Sequence, residues 1–172
     1  HLIHGITGSG KTEVYMDLID YTIKKGKSVI VLIPEIALTY QTVMRFTRRF
    51  KEKVSIINSR LSSGERYDQF ERAKNGDVNI MIGPRSALFT PFSNLGLIVI
   101  DEEHESAYKS ESVPKYHAIE VAQKRAYDTG ATVVLGSATP SLESYYKAKN
   151  GTYILHKLTT REKGNLPSVS IV

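Results

Sequence analysis

Eight residues near the start constrain this chain more than anything else in it. They are Gly5-Ile6-Thr7-Gly8-Ser9-Gly10-Lys11-Thr12, a G-x-x-x-x-G-K-T run. Such a run carries chemistry only in one setting, after a strand and at the opening of a helix. Leu2 to Ile6 is short and apolar. Thr12 to Lys25 places Val14, Tyr15, Leu18, Ile19 and Ile23 at helical spacing, and Gly26 stops it. In that setting glycines let main-chain N–H groups turn inward around phosphate oxygens, and the helix N-terminus adds partial positive charge. Gly5, Thr7, Gly8, Ser9, Gly10, Lys11 and Thr12 are therefore the candidate nucleotide-binding residues. Lys11 has the reach for the β- and γ-phosphates, and the Thr12 hydroxyl suits Mg²⁺. A Gly-rich turn that merely precedes Lys-Thr would leave the flanking strand and helix unexplained.

Beyond this loop the pattern alternates. Ser28 to Ile33 is a continuous Val/Ile/Leu run, the mark of a strand covered on both faces. Leu38 to Phe50 reads as a helix and Val54 to Ile57 as a strand. Ser62 and Glu65 have capping-box spacing for a helix ending near Asn75-Gly76. Val78 to Ile82 and Leu95 to Ile100 read as strands, Ala118 to Tyr127 as a helix closed by Gly130, and Thr132 to Leu135 as a strand. Pro140 suits the first position of a further helix, and Tyr153 to Leu155 is the candidate last strand. Apolar strands alternating with helices imply an α/β domain on a parallel sheet. A length of 172 residues suits one such domain. The expected division is a nucleotide-binding lobe over 1–157 and a polar linker over 158–172, with both ends resembling cuts in a longer protein.

Leu97-Ile98-Val99-Ile100 runs into Asp101-Glu102-Glu103-His104, so a buried strand delivers acids to the sheet edge beside the phosphate loop. Asp101 is the candidate Mg²⁺ partner, since a hard cation already held by phosphates needs only one or two carboxylates. Glu102 is suited to orient or deprotonate an attacking water. His104 lacks partners at metal-ligand spacing. The 23 Lys plus Arg against 18 Asp plus Glu give +5, a mild lean toward an anionic partner. Zero Cys excludes a disulfide framework, a thiol nucleophile and thiolate zinc sites in this chain. The longest apolar runs, Val29 to Ile33 and Leu97 to Ile100, fall far short of the ~20 residues that cross a bilayer, so no membrane role and an intracellular setting are expected.

Three more segments sit at expected strand ends: Ile33-Pro34-Glu35-Ile36-Ala37-Leu38-Thr39, Gly83-Pro84-Arg85-Ser86-Ala87-Leu88-Phe89 and Gly136-Ser137-Ala138-Thr139-Pro140. Each alone reads as an ordinary capped helix start. Together they bring hydroxyls, main-chain amides and Arg85 to one edge, the groups a phosphodiester backbone requires. Their order resembles the first motor lobe of superfamily 2 helicases. The stretches Thr7 to Tyr15, Ile33 to Thr39, Arg85 to Phe92, Asp101 to His104 and Leu135 to Ser144 are similar, more narrowly, to the PriA-type replication restart helicases. Ser106 to Lys109 and Pro114 to Ala118 resemble that family's aromatic loop. Pro84, Tyr40 and Asn58 depart from the pattern, where Thr, Pro and His are usual.

The resemblance implies a RecA-like P-loop NTPase fold in three α/β/α layers, with ATP and Mg²⁺ as cofactors. It implies catalytic roles for Lys11, Asp101, Glu102 and His104, and metal binding by Thr12 and Asp101. Contact with DNA, or its coupling to nucleotide state, falls to Thr39, Arg85, Ser86, Tyr108, Tyr116, His117, Ser137 and Thr139. The implied partners are forked and single-stranded DNA, a second motor lobe, primosome loading proteins and single-strand DNA-binding protein. The implied place is the bacterial cytoplasm, associated with the nucleoid. Zinc is implied only for a part of the parent protein outside this chain. Nothing after Pro140 resembles the arginine finger of a second lobe, so the isolated lobe is expected to hydrolyse ATP poorly. Two alternatives are a different superfamily 2 translocase and a P-loop nucleotide switch that moves no DNA.

Overall fold

The continuous apolar runs become the middle of a sheet. β2 (Ser28–Leu32) and β4 (Ile80–Gly83) are buried along their whole length, and β5 (Leu95–Asp101) nearly so. The structure, a computed structural model, describes residues 1–160. β1 (Leu2–Gly5), β3 (Val54–Ile56), β6 (Thr132–Ser137) and β7 (Leu155–Leu158) complete a sheet of order β3-β4-β2-β5-β6-β1-β7. Every pairing is parallel.

Strand periodicity splits the core in two. Val29 and Val31 face one side, where they meet Tyr15, Met16 and Ile19 of α1 (Lys11–Lys24) and Phe46 and Phe50 of α2 (Tyr40–Phe50). Ile30 and Leu32 face the other, with α3 (Ser63–Asn75), α4 (Ala118–Thr129) and α5 (Leu142–Lys149). Ala73, Ala118, Ala122 and Ala148 supply the short contacts there. The result is the three-layer α/β/α architecture of a RecA-like domain. Parallel pairing puts all strand carboxyl ends at one edge. The loops at 6–10, 33–39, 84–94, 102–117 and 138–141 therefore leave the sheet side by side.

Local signals account for most boundaries. Ser62 accepts from Glu65 N while Glu65 accepts from Ser62 N, the reciprocal capping box, and Gly76 closes α3 at φ 83°. Two expectations need correction. α5 starts at Leu142, because Ser141 is the cap: its hydroxyl accepts from Ser144 N at 3.2 Å, and Pro140 lies outside the helix. The last strand is Leu155–Leu158, because Tyr153 N is spent on Lys147 O at 2.9 Å, and pairing with β1 begins at Leu155 opposite Leu2. That strand enters the segment read as linker by one residue, and 161–172 of that segment lie outside the described residues. Among the described residues no helix is long and apolar enough to cross a membrane.

Candidate active site at the carboxyl edge of the sheet

The phosphate loop turns on its glycines. Gly8 and Gly10 sit at φ 81° and 86°, left-handed values that side-chain-bearing residues adopt with strain. Ser9 N bonds Ile6 O at 3.0 Å, and Gly10 caps α1. Lys11 is buried, and its Nζ donates to Gly5 O at 2.8 Å, so the ammonium is held over the loop. The Ser9 hydroxyl is buried with no hydrogen-bond partner. Such an orphan is unusual and points to a missing acceptor or donor within the loop. A Cβ on Gly5 would stand 2.4 Å from that hydroxyl. The loop, Asp101, Glu102 and Arg45 line one cleft of about 350 Å³. These features fit bound phosphates. A larger groove of about 520 Å³ between α1 and the amino ends of the strands is lined mainly by apolar groups such as Ile3, Leu18, Leu97 and Val134. It carries no comparable cluster of acids and main-chain donors.

Asp101 ends β5 facing the loop. Tyr15, one turn into α1, donates from Oη to Asp101 Oδ1 at 3.0 Å. Burial first, and then the charge of Glu102, push the Asp101 carboxyl above its usual range; the Tyr15 bond and Lys11 oppose that. Burial and the Asp101 charge push the Tyr15 phenol up as well. Glu102 takes φ 46°, a conformation a glutamate adopts only when its surroundings hold it there. Tyr15 and Arg45 carried no assigned role in the motif reading. Tyr15 lies four residues after Lys11, a spacing that places both on one helix face. Arg45 belongs to a basic face of α2. It pairs with Glu13, while Arg49 bonds Asp17 at 2.5 Å and reaches Glu13 at 3.5 Å.

His104, Ser137 and Thr139 come together. His104 Nδ1 is 2.7 Å from Ser137 Oγ, and its Nε2 is 3.5 Å from Thr139 Oγ1. Thr139 N donates to Ser137 Oγ at 2.9 Å. Glu102 Oε2 lies 3.7 Å from the same His104 Nδ1. One chain of contacts therefore runs from the water-orienting candidate to the segment after β6.

The nucleic-acid candidates divide. Thr39 caps α2, accepting from Thr42 N at 3.3 Å. Ser86 lines a cleft of about 380 Å³ with Pro34, Ser59 and Arg66. In that cleft hydrogen bonds from Ser59 hold the Glu35 carboxyl below its usual range. Arg85 donates to Ala107 O and Lys109 O at 3.1 and 2.8 Å, so it fastens the loop after the acids. His117 caps α4, its Nδ1 accepting from Ile119 N at 3.3 Å. Tyr116 packs edge-on against Phe89 with centroids 5.4 Å apart. Tyr108 corrects an expectation. It is 1% exposed, and its hydroxyl lies 2.6 Å from Asp101 O and 3.1 Å from Leu32 O. Strands β2 and β5 end with carbonyls that need donors, and Tyr108 supplies one from within the core. No face of its ring is open to a base.

The family model described as DEAD/DEAH box helicase matches residues 1–148. The replication restart protein PriA of Bacillus subtilis (strain 168) is 53% identical over 172 residues, 99% of this chain and 21% of that protein. Its namesake from Chlamydia pneumoniae is 52% identical over 98% of this chain and 23% of its own length. The chain thus spans about a fifth of the curated relatives it matches. Among solved structures, the Hef helicase domain of Pyrococcus furiosus aligns over 92% of this chain and 34% of its own, with TM-score 0.67 at 22% identity. RecG bound to a three-way DNA junction aligns over 92% of this chain and 20% of its own, with TM-score 0.65 at 22% identity. Those two likenesses speak for the fold. With the family model covering most of its length, and with the loop, the acids and the His104–Ser137 pair on one sheet edge, the chain belongs to the DEAD/DEAH box helicase family.

Proposed function

We propose that this chain is the ATP-binding first motor lobe of an ATP-dependent DNA helicase that acts in replication restart. The observation that carries the reading is the placement of Lys11, Asp101, Glu102 and the His104–Ser137 pair at one edge. Gly8 to Thr12 hold the nucleotide phosphates with main-chain N–H groups, and Lys11 exchanges Gly5 O for phosphate oxygens. Thr12 and Asp101 hold Mg²⁺, which when bound draws charge off the phosphates. A carboxyl that burial holds above its usual range gains most from such a cation. Glu102 orients the attacking water and takes its proton as the bond to the γ-phosphorus forms and the β–γ bridge breaks.

His104, Ser137 and Thr139 pass the change to the segment that follows β6. Thr39, Ser86 and the exposed part of the Tyr116–Phe89 pair face DNA. Forked and single-stranded DNA are the substrates, and a second lobe of the same protein supplies the arginine finger. Primosome loading proteins and single-strand DNA-binding protein are the partners, in the bacterial cytoplasm on the nucleoid. This reading is supported by the relatives named for replication restart.

The test uses a protein carrying both lobes, with ATP hydrolysis followed with and without forked DNA. Hydrolysis should rise with DNA, and Lys11→Ala should lower it by on the order of 10³-fold, the scale for losing a cation on the transferring phosphoryl group. Hydrolysis indifferent to DNA would instead indicate a nucleotide switch.

A further inference from the structure

Glu103 is the acid of the 101–103 turn that the proposed chemistry leaves unused, and it is the most buried of the three at 2% exposed. A buried carboxylate is tolerated only when its oxygens are filled. Both are. Oε1 accepts from Ser141 N at 2.7 Å, and Oε2 accepts from Ser141 Oγ at 3.1 Å and Ser144 Oγ at 2.8 Å. The Glu103 N–H meanwhile donates to Gly136 O at 3.0 Å. One residue therefore grips the chain at Gly136 and again at Ser141. Between those grips lie Ser137 and Thr139. Glu102, next in the chain, is already in a strained conformation at φ 46°. A turn so fastened cannot shift without dragging the segment with it.

We propose that Glu103 is a positioning residue that couples the acidic turn to the 137–141 segment, so that movement of Glu102 during hydrolysis is delivered to the DNA-facing edge. The inference rests on the helicase reading. A plain brace for α5 is the simpler role, since Glu103 Oε2 also holds the Ser141 hydroxyl that caps α5 by accepting from Ser144 N at 3.2 Å. The two roles differ in what they move. Loss of a brace lowers stability and all activities together. Loss of a coupler changes how strongly DNA stimulates hydrolysis and leaves the KM for ATP in place.

The experiment compares Glu103→Ala, Glu103→Gln and the Ser141→Ala/Ser144→Ala double variant in the protein carrying both lobes. Its readout is the ratio of DNA-stimulated to DNA-free hydrolysis. Glu103→Ala should lower that ratio by about 10-fold, within the usual range of coupling between sites. The serine pair should do the same, and combining it with Glu103→Ala should add nothing further. Glu103→Gln should recover part of the ratio, because its amide oxygen still accepts from Ser141 N. If Glu103→Ala does not fold, the glutamine and serine variants decide. An unchanged ratio, or a ratio unchanged while Tm and both rates fall, overturns the proposal. A wild-type protein without DNA stimulation overturns the helicase reading and this inference with it.

Discussion

The phosphate loop and the 102–117 loop sit at the same sheet edge, yet they build function in opposite ways. The phosphate loop works through its backbone: two left-handed glycines and one lysine stored on a carbonyl of the loop itself. Its meaning travels with eight consecutive residues. The 102–117 loop works through side chains whose roles are set by distant neighbours. Tyr108 and Tyr116 are the same residue type in the same loop, and one is buried against Leu32 and Asp101 while the other leans on Phe89 near the surface. A local motif states what a backbone will do; an aromatic in a loop states nothing until its neighbours are known.

Three substitutions strain this contrast, in falling order of effect. Gly136→Ala should be the most damaging to stability, because its Cβ would stand 1.6 Å from Tyr15 Oη and force that ring off Asp101. Overpacking of this kind costs about 3 kcal/mol, and urea denaturation would read it. A change near zero would mean that Tyr15 is not fixed against the acids. Tyr108→Phe should cost about 2 kcal/mol by the same assay, since it removes the one hydroxyl donor that the Asp101 and Leu32 carbonyls share, and should leave single-stranded DNA affinity alone. Weakened DNA binding with intact stability would return Tyr108 to the role of base sensor. Tyr116→Ala should cost about 0.5 kcal/mol or less of stability. It should weaken single-stranded DNA binding of the two-lobed protein, and normal DNA affinity would remove Tyr116 from the interface.

The fold was legible wherever a local signal was strong. Strand β2 is apolar at every position from Val29 to Leu32, and α3 carries both a capping box and a terminal glycine. Strand β7 was harder to place because His156 and Lys157 make it polar, as an edge strand can be. The start of α5 was misread because Pro140 and Ser141 both carry start signals, and only the hydrogen bond from Ser144 N chooses between them. The site's consecutive residues were legible for the same reason as the loop. Tyr15, Arg45 and Glu103 were not, because their partners lie 86, 32 and 38 or more residues away. Sequence distance hides such pairs even when each residue type is plausible.

The strand order also fixes when the nucleotide site can exist. β1 leads directly into the phosphate loop, but its partners are β6 and β7, with Leu2 opposite both Leu135 and Leu155. On the ribosome the loop emerges well before β6, and the strand that anchors it stays unpaired until Leu135 has been made. Non-local pairing of this kind is slow and comes late. The residues that would hold the nucleotide thus depend on strands made much later in the chain, and truncation anywhere before β6 leaves them on a strand without its described neighbours.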